Sequence, residues 1–359
     1  MSQLRTVQVL GGGSAGSSAH VRSLAAGLVA RGVRVTVCAP AELEREYDFP
    51  AAGARFVAVP RRADPAAVGA LRAACADADV VHAHGLHAAV RAALALRGRK
   101  GVPLVVTWHT RAHAEGARGH VLRLLERRVS RAAAVVLATS SDLVDRARSR
   151  GARDARLAPV AVPAPRLDPG LPDGKARAEL GAVERPLVMA VGSLVAHRGY
   201  EVLMDAARAW RDLDPAPLLV IAGEGPGRPA LQRRIEDEAL PVRLVGRRDD
   251  ITELLSAADV AVLPSRWEAR SLLAQEALRL GVPLVATAVG GVPELVGDAA
   301  LLVPYGDPGA LADAVVGLLG DPGVRRELAE AGRAQAGTWP TEDETVAQVL
   351  SVYDELAGT

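Results

Sequence analysis

Residues 264–296, PSRWEARSLLAQEALRLGVPLVATAVGGVPELV, restrict what this 359-residue chain can fold into more than any other stretch. The apolar run VAVL just before them reads as a strand, and a loop carrying Glu268 follows. A helix is expected from near Ser271 to Gly281, because Ser is a strong N-cap and Gly followed by Pro283 is a strong stop. PLVATAV then gives a second strand, which opens onto Gly290-Gly291 and Pro293-Glu294. Strand, loop, helix, strand and glycine loop make a βαβ unit. The start of its helix points at the C-terminal edge of a parallel sheet, where open α/β sheets bind ligands. Free amides at Ser271, Leu272 and Leu273, together with the helix dipole, suit an anion there.

Glu268 and Glu276 bracket this helix start with seven residues between them. Carboxylates do not bind phosphate but accept well from sugar hydroxyls. The spacing therefore allows a hexose at Glu268, a diphosphate on the amides and a ribose at Glu276. Two solvated glutamates flanking a surface helix is the plain alternative, and residue pattern alone weighs the two evenly.

The chain length suggests about two domains, and 49% hydrophobic with 24% charged residues is ordinary for large globular cores. A net charge of +1 gives no reason to expect nucleic acid as a partner. All but two of the 43 basic residues are arginine, which reads as genome bias. Cys38 and Cys75 fall in apolar elements, as in a reduced protein without disulfides. No signal peptide pattern is visible, and no apolar run reaches the roughly 18 residues of a membrane span. A cytoplasmic protein is the expectation.

At the N-terminus, strand TVQVL leads into Gly11, Gly12, Gly13, Ser14, Ala15 and Gly16, then a helix from about Ser18 to Arg31 and a strand VRVTVCA. Gly11, Gly13 and Gly16 satisfy G-x-G-x-x-G, which admits a nicotinamide enzyme. That reading requires an acid at the end of the second strand for the ribose, and Cys38-Ala39-Pro40 stands there instead. His82, His84 and His87 follow in DADVVHAHG, with a spacing that matches no standard zinc arrangement. PLVVTWHT ends on Trp108-His109-Thr110, again at a ligand edge, where a capping or core-edge His is the alternative. HVLRLLERRVSRAA reads as an amphipathic helix with Val121, Leu122, Leu125 and Val129 on one face. Packing on its own sheet is favoured over a basic membrane-surface role.

The E-x7-E stretch resembles that of the retaining glycosyltransferases of family 4 (glycosyl transferases group 1), and the likeness extends over nearly the whole chain. It implies an α/β GT-B fold, with two Rossmann-like domains facing across a cleft. Residues 1–165 would form the acceptor-binding domain, 166–185 a proline-rich linker and 186–339 the donor-binding domain. The helix in 340–359 would cross back to the first domain. The resemblance further implies retaining transfer from a UDP-sugar to an acceptor hydroxyl with an α-linked product. The nucleotide-sugar is then a co-substrate, with no other cofactor and no obligatory metal. Gly12 and Gly13 would approach the donor phosphate, as glycine permits. His109 would lie beside the transferred sugar, with His84 and Thr110 on the acceptor side. Gly192, Ser193 and Arg198 would face the diphosphate, Gly246 and Arg247 the base, Glu268 the hexose and Glu276 the ribose. Arg270, Ser271 and Leu272 complete the donor set, and His109, Arg198 and Glu268 the catalytic one.

Three departures from the family pattern stand out. Ser193 occupies the place of an arginine and Arg198 that of a lysine, so one of the two cations facing the diphosphate is gone and the other is a planar fork. Glu268-Ala269-Arg270-Ser271 replaces E-G-F-G. Residues 160–163, VAVP, replace a usual Asn-Gly-Val-Asp phrase. A non-catalytic nucleotide-sugar-binding protein is therefore the rival reading. A nucleotide-sugar epimerase of the same fold is disfavoured by the retained E-x7-E and TWHT.

Overall fold

The computed structural model describes residues 3–11, 15–61, 65–99, 101–111, 116–161 and 174–358. It divides into two compact units, Met1–Pro163 with Pro340–Thr359, and Ala164–Trp339. Gly12, Gly13 and residues 166–173 of the expected linker lie outside the described residues. The C-terminal part of that linker is not linker. Lys175–Leu180 is a helix, and its Leu180 is buried in the second unit's core.

In the first unit β1 (Arg5–Leu10), α1 (Ala15–Ala30), β2 (Arg34–Ala39), α2 (Ala41–Tyr47) and β3 (Arg55–Ala58) come first. Then come α3 (Pro65–Ala74), β4 (Val80–His84), α4 (Leu86–Ala95), β5 (Leu104–Trp108), α5 (Gly116–Ala132), β6 (Val135–Ala138), α6 (Ser141–Ser149) and β7 (Ala155–Leu157). The strands pair in parallel in the order β3-β2-β1-β4-β5-β6-β7. Helices cover both faces of such a sheet, so its strands read as near-continuous apolar runs. The order reverses between β1 and β4, and the register sets Leu10 beside His84 and His84 beside Thr107.

The second unit contains α7 (Lys175–Leu180), β8 (Leu187–Val191), α8 (Tyr200–Trp210), β9 (Leu218–Ala222), α9 (Arg228–Asp237), β10 (Val242–Gly246) and α10 (Ile251–Ser256). β11 (Val260–Leu263), α11 (Leu272–Leu280), β12 (Leu284–Thr287), α12 (Val292–Val296), β13 (Leu301–Val303), α13 (Pro308–Gly320) and α14 (Pro322–Ala336) complete it. Its strands run parallel in the order β10-β9-β8-β11-β12-β13, reversing between β8 and β11. The two-residue period of the strands divides its core. Leu187, Met189, Val220 and Leu263 pack on one face, and Val188, Ala190, Ile221 and Val262 on the other.

The last helix, α15 (Glu342–Ala357), begins on a capping box between Thr341 and Glu344 and belongs to the first unit. Val346, Val349, Val352 and Tyr353 join the core beside α1. A Cβ on Gly27 would come within 2.5 Å of Val346, so the two helices meet where one side chain is missing.

Helix α5 departs from expectation. Val121 is exposed, as is Leu124, while Gly119, Glu126, Val129 and Ser130 are buried. The buried stripe is rotated because Glu126, only 4% exposed at its side chain, is clamped by Arg146 at 2.8 Å and Arg150 at 2.9 Å. Removing one partner of a buried ion pair strands the others at a cost of about 3–5 kcal/mol. Glu126→Ala should therefore lower the unfolding free energy by about 3 kcal/mol in urea titration, whereas Asp145→Ala, an exposed pair with Arg148, should change it by less than about 1 kcal/mol.

Candidate active site

In the second unit the site is built where the strand order reverses. β8 ends at Gly192, whose amide donates to Ala222 O at 2.9 Å, and the Gly223 amide donates to Gly246 O at 2.7 Å. A Cβ on Gly223 would sit 2.0 Å from Gly192 O, so the ends of β8, β9 and β10 close up through glycine. From Gly192 the chain passes exposed Ser193 to a short 3-10 turn, Ala196–Arg198. Gly199 follows at φ +73°, its backbone against Pro264 O. The Arg266 amide donates to His197 O at 2.9 Å, tying this turn to the loop after β11.

That loop carries Glu268. Arg198 Nη1 pairs with its Oε1, and Ser265 Oγ donates to the same oxygen at 2.9 Å. Ser265 is fully buried, and its own carbonyl accepts from Thr287 Oγ1 at 2.6 Å. The Glu268 carbonyl accepts from the Gly291 amide at 2.9 Å. Gly290, at φ +55°, lies so close that a Cβ would be 2.1 Å from that carbonyl and 2.6 Å from Trp267 Nε1. Burial lowers the Arg198 pKa, and its Nε has no hydrogen-bond partner among the described residues. An arginine with one arm on a carboxylate and a buried N–H to spare is ready for an anion.

Ser271 caps α11, its hydroxyl accepting from the Ala274 amide at 3.4 Å. The Leu272 and Leu273 amides precede the first intrahelical hydrogen bond and remain as donors. Glu276, one turn on, accepts from Thr252 Oγ1 of α10, a partner the sequence did not point to. The sequence also assigned Arg247, Ser193 and Arg270 to this edge. Arg247 is exposed, 4.0 Å from Asp249. Ser193 is exposed and brings no charge. The Arg270 guanidinium lies 5.8 Å from the centre of the Trp339 ring, which Arg279 also approaches at 5.5 Å. Burial draws its pKa down to about 10, against the pull of Glu294. The apolar side chain of the usual pattern is replaced by a cation that still packs inward, which is why Arg270 does not join Arg198 and Glu268.

In the first unit the β1–β4 reversal holds a different construction. Thr6 and Gln8 of β1, His82 and His84 of β4 and Thr107 of β5 all lie on one face and are all buried. His82 Nδ1 is 2.6 Å from Tyr353 Oη of α15, and its Nε2 is 2.6 Å from Thr107 Oγ1. His84 Nε2 is 3.0 Å from Gln8 Oε1, and its Nδ1 is 3.3 Å from His109 Nε2. His20 of α1 meets the His84 and His109 rings edge-on at 5.9 and 5.5 Å. Both ring nitrogens of His84 thus have protein partners. His87 is exposed and stands apart. Among the described residues no three His, Cys, Asp or Glu side chains are grouped to hold a metal ion. Thr110 is exposed beyond His109. Arg91 is buried and donates to Pro60 O at 2.8 Å and Leu10 O at 3.2 Å, closing the end of β1 next to Gly11.

His20, Gln8, Thr107 and Tyr353 were missed from the sequence. The available signal was polar residues at alternate positions in three successive strands, TVQVL, VVHAH and LVVTW, which an apolar core does not need.

Burial holds these imidazoles neutral, with His109 drawn down to about 4 and His82 to about 3, in both cases mainly through loss of hydration. Unfolded histidines take up protons near 6.5, and these folded ones do so only at lower pH. Stability should be full above pH 7 and fall as pH drops through 6.5 toward 4, because the unfolded chain binds more protons in that window. Urea midpoints between pH 7.5 and 4.5 check this, and His82→Gln should flatten the slope.

Two family models match the chain. One, described as glycosyl transferases group 1, covers residues 185–321, and the other, a glycosyl transferase 4-like domain, covers residues 15–163. Alpha-D-kanosaminyltransferase of Streptomyces kanamyceticus is 33% identical over 70% of this chain and 70% of its own length. D-inositol 3-phosphate glycosyltransferase of Salinispora arenicola is 34% identical over 80% of this chain and 72% of its own. Among solved structures, Anabaena HepE in complex with UDP and glucose has the same fold, with a TM-score of 0.85 over 99% of this chain and all of that one, at 19% identity.

Proposed function

This chain belongs to the group 1 glycosyl transferases, and on that premise we propose that it transfers a hexose with retention from a UDP-sugar to an acceptor hydroxyl, giving an α-linked product. It is a GT-B glycosyltransferase with a nucleotide-sugar donor. The observation that carries the finer reading is the meeting of Arg198 and Glu268 immediately ahead of the capped start of α11.

In this reading Arg198 and the Leu272 and Leu273 amides take the diphosphate. Their hydrogen bonds strengthen as the sugar C1–O bond breaks and charge collects on the leaving oxygen. Glu268 accepts from hexose hydroxyls and Glu276 from the ribose. His109 meets the transferred sugar. The acceptor oxygen bonds to C1 on the face that the diphosphate leaves, and its proton passes to the departing phosphate oxygen. Such a step needs neither a second carboxylate as nucleophile nor a metal, since the cation and the amides carry the phosphate charge. The UDP held by HepE makes uridine the first base to test.

Exposed Ser193 is the observation that favours the rival, a protein that binds nucleotide-sugar without turnover. Thermal unfolding with UDP, GDP, ADP and dTDP separates the readings. A nucleotide at 100 times its Kd should stabilise the protein by about 2.7 kcal/mol, with UDP giving the largest shift. Glu276→Ala should weaken that binding about 10-fold, as expected for one hydrogen bond to a charged acceptor. Arg198→Gln should lower turnover about 100-fold, the scale for one lost transition-state donor. Proton NMR of the product should give an α-anomeric signal. Binding without turnover on any acceptor would favour the rival, and binding of no nucleotide would sink both.

A further inference from the structure

The buried chain of side chains behind His109 has a direction. Gln8 Nε2 spends its two N–H groups on Tyr353 Oη at 2.9 Å and Thr6 Oγ1 at 3.3 Å. Its Oε1 is then an acceptor, and the group 3.0 Å away, His84 Nε2, must supply the proton. A neutral imidazole carries one proton, so His84 Nδ1 is bare. His109 Nε2, 3.3 Å from that bare nitrogen, must donate to it. His109 Nδ1 is left without a proton, and it has no hydrogen-bond partner among the described residues. On the other side of Gln8, Tyr353 accepts from the amide and passes its own hydrogen to His82 Nδ1, whose Nε2–H then serves Thr107. Each buried polar side chain in this series has at least one hydrogen-bond partner, and such a network favours one arrangement.

We propose that Tyr353, Gln8 and His84 are positioning residues that fix His109 in the tautomer protonated on Nε2, so that its Nδ1 accepts a hydrogen bond from a hydroxyl of the transferred sugar. The proposal rests on the reading of His109 as a sugar contact. Its chemical sense lies in charge. Glycosyl transfer builds positive charge at C1, and a neutral acceptor beside the sugar avoids adding a second positive charge. An N–H presented there would reverse the polarity of the contact. The ordering comes from the far end of the sequence, because Tyr353 lies on α15, 345 residues from Gln8.

Long-range ¹H–¹⁵N spectra of the full chain at pH 7.5 test this, with the His109 signals assigned by their loss in His109→Gln. The expected result is a protonated Nε2 and a bare Nδ1 on His109. Tyr353→Phe and Gln8→Leu should each turn this into a mixture of tautomers, while the thermal shift produced by nucleotide stays that of the wild type. With a competent donor and acceptor, each should lower kcat by up to about tenfold, the worth of one hydrogen bond, and move the donor KM by less than about twofold. If Gln8→Leu does not fold, Tyr353→Phe, which deletes one oxygen, carries the test. A proton on His109 Nδ1 in the wild type would overturn the proposal, as would a spectrum unchanged by both substitutions. A changed tautomer with unchanged kcat would overturn the assigned use of His109. The spectra need no turnover, so failure to find a donor would count against the function proposed above and leave the tautomer result standing.

Discussion

The carbonyl of Glu268 is the point on which the second unit's site depends. It accepts from the Gly291 amide, and the chain at Gly290 approaches it more closely than any residue with a Cβ could. That contact holds the loop after β11 down on the loop after β12 and leaves the Glu268 side chain directed at Ser265 and Arg198. The same means recurs at Gly199 against Pro264 and at Gly223 against Gly192. Three close approaches of backbone to backbone therefore set the geometry, and in each a side chain at the glycine would have to displace a carbonyl. Positive φ at Gly199 and Gly290 adds the conformational reason for glycine there. A site set by main chain tolerates exchange of the side chains around it, which fits the presence of Ser193 and Arg270 where the family has other residues.

The first unit reaches the same place in the topology, a reversal of strand order, by the opposite means. Its edge is set by side chains, five of them buried and polar on one face of the sheet. Burying such groups costs several kcal/mol each when a partner is missing and little when all are met. The cost is avoided here because α15 lays Tyr353 over the sheet and closes the network between Gln8 and His82. The apolar contacts of α15, with Val346 set into the gap at Gly27, keep the hydroxyl where the network needs it. Packing of a surface helix and polar order inside the sheet are thus one feature.

Much of this was legible in the sequence, and the illegible part has a common cause. The helix from Ser271 to Gly281 carries its own start and stop, and the structure gives Leu272–Leu280 with those two residues as caps. Local signals depend on residues a few positions apart. The partners of His82, Gln8 and Glu276 are 271, 345 and 24 residues away, and no spacing rule reaches them. The rotated face of α5 was missed for the same reason. Its apolar residues suggested one stripe, but the charge at Glu126 is buried by two arginines, Arg146 of α6 and Arg150 at its end, and two ion pairs outweigh the exposure of Val121.

Ser193 stands where the family pattern has an arginine, and two arginines of the expected donor set, Arg247 and Arg270, are engaged elsewhere. Arg247 is exposed beside Asp249, and Arg270 stacks on Trp339, so neither takes the vacated place. Arg198 is a cation built into this edge through its pair with Glu268. It is half-buried, with its Nε unpaired and one Nη on Glu268. Burial makes each of its contacts stronger than a surface contact would be, since water screens them less. On the proposed reading, a fork already held on Glu268, next to the α11 amides that precede the first intrahelical hydrogen bond, would meet a diphosphate with little ordering left to occur.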